Sequence, residues 1–448
     1  MQEQFFGNGT PEPSTNVALA GENESDARYR ELKFKLLHQL LNELDPAKVH
    51  SQGNGRVRET IEEVANQMLA AEGISLPRMI RTRIVRDLLD EILGYGPLEP
   101  LLNDPTISEI MVNSPQEIYV EREGVIVEAD VSFRDEEHVM SLVEKIIAPL
   151  NKRIDETSPM VDARLPIGYR VNVIIPPLSV KSAAITIRKF FNERVNVDYL
   201  VTVGTLTPDV GEFLKACVES RLNFIICGGS GTGKTTMLNA LSAFIPAAER
   251  VITIEDPAEL QLKRKHVVSL ETRPPNVEGK NQVTQRELVI NALRMRPDRI
   301  IVGEVRGGEA FDMLQAMNTG HDGSICTVHS NSPRDALARI ENMVLMAGFD
   351  LPVKAIREQI ASAIFGVIHL SRMRDGKRRI TQISEVVGME QQLITMQDIF
   401  VFEQKGVDAD GQVIGSLLPT GIRPRFMDRI EQAGIYLNPL TFRKGEGW

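Results

Sequence analysis

The N-terminal part of the chain shows two kinds of apolar spacing in succession. Between residues 28 and 93 the leucines, isoleucines and valines recur every three or four positions, which is the spacing of amphipathic helices. We therefore predict a helical bundle over residues 28–93, with breaks at Asp45-Pro46 and in the run SQGNG at 51–55. Residues 1–27 are rich in Gly, Pro, Ser, Asn and Glu without a period, which predicts a disordered tail.

Beyond the turn-rich stretch GYGPLEPLLNDP at 94–105, the period shortens to that of β-strands. The pattern predicts a short strand near 107–111, a hairpin over 117–133 and strands over 164–177 and 183–190. A helix is predicted from Glu136 to about Leu150. Residues 94–197 are thus expected to form an α+β domain.

From residue 198 to 448, strands and helices alternate. Near-continuous apolar strands are predicted at 224–227, 250–256, 266–273, 299–305 and 324–330, with helices at 284–297, 308–320 and from Pro333 to about Gly348. Strands with little alternation, separated by helices, imply a parallel sheet covered on both faces. A helix at 353–364 and a hairpin that turns at Asp375-Gly376 follow, and the last 50 or so residues show only short helix and turn signals.

A glycine-rich loop joins the first of these strands to a helix. Its sequence GGSGTGKTT (228–236) fits the phosphate-binding template, with a strand before it and a helix after it. Glycines let backbone N–H groups turn inward around a phosphate, and the helix N-terminus adds partial positive charge. Lys234 is a flexible cation for the β- and γ-phosphates, and the Thr235 hydroxyl can bind Mg²⁺. The loop predicts a nucleoside triphosphate site formed by Gly228, Gly229, Ser230, Gly231, Thr232, Gly233, Lys234, Thr235 and Thr236.

Acidic residues follow two further strands of the predicted sheet. Glu255 opens the cluster EDPAE at 255–259, and Glu304 follows the apolar run at 299–303. Carboxylates beside a triphosphate repel it unless Mg²⁺ intervenes, so these positions suggest metal binding or water positioning. Glu304 is the first candidate for the essential carboxylate, Glu255 the second and Glu259 the third. Gly303 and Glu304 replace the aspartate that is usual at the end of such a strand.

Histidines and arginines supply further candidates. His321 and His329 flank the strand at 324–330, and a neutral imidazole at His329 could donate to the γ-phosphate and report its presence. Like the acidic clusters, this polar cluster is expected to lie at or beside the carboxyl end of a strand, where ligands of such sheets bind. A P-loop ATPase gains from an arginine supplied by another domain or subunit, and strand arginines facing a cleft would serve. The candidates are Arg164, Arg170 and Arg188 of the middle domain and Arg306, although surface arginines on an exposed sheet are nearly as good an explanation for any one of them. Phe190 or Phe191 could flank an adenine, with core packing as the better explanation.

Composition narrows the class of protein. The net charge of −10 argues against bulk nucleic acid as the main partner. Three cysteines without metal-ligand spacing or a disulfide pattern point to a reducing cytoplasm and to the absence of a structural zinc site. No apolar run approaches the roughly 18–20 residues of a membrane span, so work at a membrane would need a docking partner.

Four motifs in order resemble those of the type II/IV secretion ATPases. They are GGSGTGKTT (Walker A), TIEDPAEL (the Asp box), RPDRIIVGEVR (an atypical Walker B) and GHDGSICTVHSN (the His box), within a likeness that runs from about Gly94 to about Met389. Three stretches are most similar to the tight-adherence (Tad/Flp) pilus branch: GYGPLEPLLNDPTISEIMVN, LETRPPNVEGK and NALRMRPDRIIVGEVRGGEAFDMLQAMNTGHDGS. Several general-secretion relatives carry a tetracysteine zinc module, which this sequence does not have.

The resemblance implies an α/β, RecA-like P-loop domain at 198–448 behind the α+β domain, in a homohexamer that hydrolyses ATP with Mg²⁺. It implies a cytoplasmic motor that powers assembly of a Tad/Flp-type pilus, with retraction as a further possibility. The motor is expected to be peripheral to the inner membrane and docked on polytopic platform proteins, with no direct nucleic acid. Lys234 and Thr235 match the family's phosphate and Mg²⁺ contacts, Glu255 and Glu304 its carboxylates, and His329 its His-box histidine. Arg164, Arg170 and Arg188 fall in the domain that supplies the family's arginine contacts.

Three alternatives remain open from the sequence. The nearest is a conjugation or protein-secretion ATPase with the same chemistry. A nucleic-acid translocase is disfavoured by the acidic charge and by the lack of interleaved basic and aromatic residues. A non-hydrolysing scaffold is disfavoured by the intact Lys234, Glu255 and Glu304.

Overall fold

The computed structural model describes residues 29, 32–40, 54–71, 77–122, 124–150, 152–189, 195–262, 264–275 and 279–444. The predicted tail at 1–27 and the phenylalanines at 190 and 191 lie outside the described residues. The chain divides into two compact units, Met1–Phe191 and Asn192–Trp448. Each unit has hydrophobic cores of its own.

The first unit begins with helices. Residues 32–40 are helical, and α1 (Asn54–Ala71) and α2 (Arg78–Ile92) follow. The apolar stripes read from the sequence meet in a small core of fully or nearly fully buried side chains: Leu36, Leu40, Ile61, Ala65, Leu69, Ile84, Leu88 and Leu89.

The rest of this unit is an antiparallel sheet with a covering helix. Its elements are α3 (Glu99–Asn103), β1 (Ile107–Val112), β2 (Ile118–Arg122), β3 (Val125–Glu128), α4 (Glu136–Ile147), β4 (Met160–Arg164), β5 (Arg170–Ile174) and β6 (Ala184–Arg188). The strand order is β3-β2-β1-β6-β5-β4. The single strand predicted over 164–177 was wrong. Gly168 adopts φ 96°, which only glycine takes readily, and turns the chain into a hairpin between β4 and β5.

The second unit alternates strands and helices as predicted. Its elements are α5 (Val197–Thr202), α6 (Pro208–Glu219), β7 (Phe224–Gly228), α7 (Lys234–Ser242), β8 (Val251–Glu255), β9 (Val267–Glu271), α8 (Gln285–Ala292), β10 (Arg299–Val305), α9 (Glu309–Asn318), β11 (Ile325–His329), α10 (Pro333–Met346), α11 (Val353–Ala363), β12 (Gly366–Arg372), β13 (Arg378–Glu390), β14 (Leu393–Val407), β15 (Val413–Pro419) and α12 (Met427–Gln432).

These strands form one nine-stranded sheet in the order β15-β14-β13-β12-β7-β11-β10-β8-β9. Strands β7 to β12 are parallel to one another, whereas β13, β14 and β15 are antiparallel. The expectation of only short helix and turn signals near the C-terminus was therefore wrong, because β14 and β15 extend the sheet.

Strand β7 explains why the central strands are apolar throughout. Phe224 and Ile226 pack into the core on one face, while Ile225 and Cys227 pack into the core on the other. The fold class is confirmed: an α/β, RecA-like P-loop domain follows an α+β domain and an N-terminal helical segment. Within the described part of the chain, no helix combines the length and apolar character needed to cross a membrane.

Candidate active site

The glycine-rich loop lies between the end of β7 and the start of α7. Gly231 and Gly233 have positive φ angles of 68° and 93°, which glycine adopts without strain. A Cβ at Gly228 would collide with the carbonyl oxygen of Leu370 on neighbouring β12. The Thr232 hydroxyl donates to the Gly229 carbonyl at 3.0 Å and so closes the turn. The loop therefore has the backbone shape that a phosphate cradle needs.

Lys234 opens α7, with Gly233 as its N-cap. Its ammonium group lies 3.1 Å from the Gly228 carbonyl and 2.8 Å from the Gly229 carbonyl, so the cation is held at the loop itself. Thr235 and Thr236 are half-buried in the first turn of the same helix. The helix N-terminus and the Lys234 ammonium therefore both lie at the loop, and the two threonines follow in the same helical turn.

Glu255 ends β8 and is buried. Its Oε2 accepts the backbone N–H groups of Glu259 at 2.7 Å and Leu260 at 2.9 Å, so this carboxylate fixes the Asp-box turn. The side chain also covers Gly303 at the adjacent end of β10, where a Cβ would lie 2.7 Å from Glu255 Cγ. This contact explains why glycine, and not the usual aspartate, occupies position 303.

Glu304 follows Gly303 and is part-exposed. Its Oε2 accepts hydrogen bonds from Arg306 Nε at 3.0 Å and Nη2 at 2.6 Å. The hydrogen bond to Glu304 holds the pKa of Arg306 above its usual value. The carboxylate of buried Glu309 accepts the backbone N–H groups of Arg306 and Gly307 at 2.6 and 2.8 Å, which fixes the loop after Glu304.

The two halves of the His box lie at opposite edges of the sheet. His329 ends β11 and is paired with Gly228 at the carboxyl end of β7, beside the Walker A loop. His321 precedes β11 and lies at the amino edge. There the N–H groups of Gly323 and Ser324 donate to buried Asn223 at 2.8 and 3.0 Å. The expectation that every polar cluster lies at a carboxyl end was wrong for His321, because the strand between the two histidines spans the sheet.

The three arginines of the middle domain form one row within the first unit. Arg164 pairs with Arg170 across β4 and β5, and Arg170 pairs with Arg188 across β5 and β6. The carboxylates of Asp162 and Glu109 approach Arg170 and Arg188 only loosely, at 3.8 and 3.7 Å. Like charges directly opposite each other on a sheet are destabilising, so this row is suited to an anionic partner.

The predicted groups of the second unit meet at one edge. Gly228, Glu255, Glu304 and His329 lie at the carboxyl ends of β7, β8, β10 and β11, which are consecutive in the sheet order β7-β11-β10-β8. Ligands of open α/β sheets bind at this edge.

The donor atoms at this edge suit Mg²⁺. Among the described residues, no three His, Cys, Asp or Glu side chains form a metal-binding group. Mg²⁺ is usually held by one or two carboxylates together with substrate phosphates, and the hydroxyl of Thr235 and the carboxylates of Glu255 and Glu304 fit that donor set.

Two contributors escaped sequence reasoning. Glu309 lies in the stretch GGEAF, where nothing marks it as the residue that will fix the preceding loop. Arg378 begins β13, and its Nε donates to the Gly231 carbonyl of the Walker A loop at 2.9 Å. The turn at Asp375-Gly376 predicts the hairpin that carries Arg378 but gives no signal of where the arginine reaches.

This loop, on the first strand of a parallel sheet and with carboxylates beside it, defines a P-loop nucleoside triphosphatase. Residues 91–410 match the family "Type II/IV secretion system protein", and residues 29–93 match "Type II secretion system protein E, N-terminal domain". The chain belongs to the type II/IV secretion ATPase family, and it is a nucleotide-binding ATPase.

Two relatives and one solved structure illustrate what the chain is similar to. A putative conjugal transfer protein of Mycobacterium tuberculosis is 36% identical over 306 residues, which cover 67% of this chain and 86% of the relative. The conjugal transfer protein TrbB of Rhizobium radiobacter is 35% identical over 314 residues, which cover 69% and 91%. One similar solved structure is the VirB11 ATPase of the Brucella suis type IV secretion system in complex with sulphate. It aligns with this chain at 31% identity and a TM-score of 0.36. The alignment covers 67% of this chain and 95% of that one.

Proposed function

We propose that this chain is the Mg²⁺-dependent, homohexameric ATPase motor that assembles a Tad/Flp-type pilus through polytopic platform proteins at the cytoplasmic face of the inner membrane. The catalytic part of this proposal is supported by one observation: the Walker A loop, Glu304 and His329 lie at the same edge of the sheet. The pilus assignment rests on the sequence stretches at 94–113, 270–280 and 291–324 and on the absence of a tetracysteine module.

In this proposal the chain hydrolyses ATP to ADP and phosphate. The loop N–H groups and Lys234 bind the β- and γ-phosphates, and Thr235 with one or both carboxylates holds Mg²⁺, which neutralises phosphate charge. Glu304 orients the attacking water and accepts its proton, which requires its ion pair with Arg306 to open. His329, beside Gly228, contacts the γ-phosphate and carries its presence to α10.

The domains divide this work. The helical segment (28–93) and the α+β domain (94–197) precede the motor domain (198–448), and the arginine row of Arg164, Arg170 and Arg188 contributes positive charge to a nucleotide site. The like charges in that row, and the loose approach of Asp162 to Arg170 and of Glu109 to Arg188, support this role.

A hydrolysis assay tests the catalytic part. We expect ATP turnover per subunit to rise steeply with protein concentration in the wild type, because subunits in a ring complete each other's sites. The Glu304→Gln variant should show no such turnover. Turnover that Glu304→Gln leaves unchanged would contradict the assignment of the essential carboxylate.

A second candidate is a conjugation or protein-secretion ATPase, which the two conjugal transfer relatives favour. Deleting the gene in its own host distinguishes a pilus motor from an ATPase for DNA transfer or protein export. We expect surface pili to disappear while DNA transfer and protein export continue, and a Glu304→Gln copy should fail to restore the pili. Loss of DNA transfer with pili intact would favour the second candidate.

A further inference from the structure

The end of β10 is irregular where it pairs with β11. Val302 and Val305 of β10 pair with residues of β11 that are only two positions apart. Gly303 and Glu304 therefore lie opposite a single residue, Thr327, which makes this part of β10 a β-bulge. Bulges occur next to active sites, where the extra residue changes the direction of a side chain.

The bulge keeps Glu304 out of the hydrophobic core. Ile300 and Val302 pack into the core on one face of the sheet, while Ile301 packs into the core on the other face. Regular alternation would place residue 304 in the same core as Ile300 and Val302, where an unpaired carboxylate is costly. Because of the extra residue, Val305 takes that place and Glu304 stays part-exposed.

Two side chains from other elements bind the backbone of the bulge. The Thr327 hydroxyl donates to the Gly303 carbonyl at 2.5 Å. Gln285 Nε2 donates to the Glu304 carbonyl at 2.8 Å. Both side chains are buried, so these hydrogen bonds are shielded from water. The two carbonyls at which the strand departs from regular pairing are thus each held by a side chain.

Gln285 reaches the bulge from a fixed helix start. It is the first residue of α8, and Thr284 before it forms a capping box with Glu287. The Thr284 N–H donates to the Glu287 carboxylate at 2.7 Å, and the Glu287 N–H donates to the Thr284 hydroxyl at 3.3 Å. Arg286 also binds Asp312 of α9, through Nε at 2.8 Å. The amide of Gln285 therefore has a defined place beside β10.

We propose that Gln285 and Thr327 are positioning residues for ATP hydrolysis, because they hold the bulge that presents the Glu304 carboxylate. The proposal rests on the proposed function, since it takes Glu304 as the essential carboxylate. Neither residue has to touch the nucleotide, because each acts through the backbone of β10. Displacement of a catalytic group by about 1 Å costs roughly 10²-fold in rate, so loss of either donor should lower kcat and leave ATP affinity intact.

Steady-state kinetics and calorimetry with Mg²⁺ and ATP, on the full-length chain, test this role. Thr327→Val removes the hydroxyl and keeps the shape of the side chain, and Gln285→Met removes the amide donor. Each variant should lower kcat about tenfold or more, with the dissociation constant of ATP unchanged. Thr327→Ser keeps the hydroxyl and should keep the wild-type kcat.

Two substitutions of the same kind serve as controls. Thr253 is fully buried in β8, which pairs with β10, and its hydroxyl has no hydrogen-bond partner among the described residues. Gln359 is half-buried in α11, and its amide oxygen likewise has no partner in the described part of the chain. Thr253→Val and Gln359→Met should both keep the wild-type kcat and ATP affinity.

Double variants test whether the two donors act through Glu304. In Glu304→Gln the carboxylate is already lost, so adding Thr327→Val or Gln285→Met should leave the slow single-turnover rate unchanged. A merely structural role would lower that rate further, because it would reduce the amount of correctly folded protein whatever residue 304 is. Circular dichroism measures the folded fraction of each variant.

Each residue is judged by its own variant. Wild-type kcat, or a loss of ATP affinity as large as the loss of kcat, would overturn the positioning role of that residue. A further loss on the Glu304→Gln background would overturn it as well. If Thr327→Val fails to fold, Gln285→Met decides whether the bulge is held for catalysis. A wild type without ATP hydrolysis, or a Glu304→Gln variant with wild-type turnover, would instead refute the proposed function itself.

Discussion

The substitution Gly303→Ala should destabilise the second unit, although it adds only one methyl group. The new Cβ would lie 2.7 Å from Glu255 Cγ and 3.2 Å from its Oε2, well inside ordinary contact distance. Glu255 is buried and cannot move away without stretching the hydrogen bonds from Glu259 and Leu260. Overpacking costs about 1–3 kcal/mol, and a hydrogen bond to a charged group contributes about 1.5–3 kcal/mol.

Partial loss of these contacts gives an expected destabilisation of about 3 kcal/mol. For a unit of this size that lowers the unfolding temperature by roughly 6–12 °C. Scanning calorimetry measures the shift, and the ATPase rate should fall with it because the Asp-box turn moves.

Gly406→Ala is the control for this prediction. A Cβ at Gly406 meets nothing within 4 Å, and the residue lies in β14 of the same sheet. We expect no measurable loss of stability there. A Gly303→Ala protein that unfolds at the same temperature as Gly406→Ala would refute the argument that Glu255 excludes a side chain at 303.

Four further predictions concern charged groups. Lys234→Ala should lose nucleotide binding or turnover, because the phosphate cradle keeps its shape but lacks its cation. Calorimetry measures the binding, and phosphate release measures the turnover. Unchanged hydrolysis would contradict the assignment of this site. Glu304→Gln should still retain bound ATP on gel filtration, while its turnover falls about 10²–10⁴-fold. Failure to retain ATP would indicate that Glu304 is chiefly a metal ligand. Arg170→Gln should lower turnover at least tenfold. If Arg170 serves a neighbouring subunit, mixing this variant with Lys234→Ala should restore activity. No recovery would indicate that the arginine acts within its own chain.

The fourth is a pH dependence. Burial acts to raise the pKa of Asp375, but Arg379 and two backbone N–H groups outweigh it and hold the pKa below its usual value. Asp375→Asn should therefore cost about 3 kcal/mol of stability near neutral pH. The cost should be present above pH ~4 and disappear as the pH falls through the folded pKa, which urea unfolding at several pH values measures. A cost that persists in acid would contradict the ion pair as its cause.

Local patterns accounted for what could be predicted. The Walker A loop needs glycines at fixed spacing, and the central strands need apolar residues on both faces, so both appear directly in the sequence. The order of motifs along the chain then placed Glu255, Glu304 and His329 at strand ends. The sequence predicted that His321 and His329 flank one strand, but only His329 lies at the carboxyl end of that strand, so the expectation that the whole cluster lies there failed for His321.

Contacts between distant segments could not be predicted. Arg378 meets Gly231 across 147 positions, and that contact exists only because β12 pairs with β7. Likewise, β14 and β15 contain polar residues that obscure their alternation, and their antiparallel partners supply the pairing that the local pattern does not show.

The structure also distinguishes the roles of the carboxylates, which the sequence could only rank as candidates. Glu255 and Glu309 are buried, and each holds a loop because one of its oxygens accepts two backbone N–H groups. Glu304 is part-exposed, and its carboxylate pairs with Arg306, whose side chain is 54% exposed. An exposed ion pair opens at little cost, whereas two buried backbone hydrogen bonds do not. Glu304 is therefore the carboxylate that can change partners during turnover, and its neighbours are the supports that keep it in place.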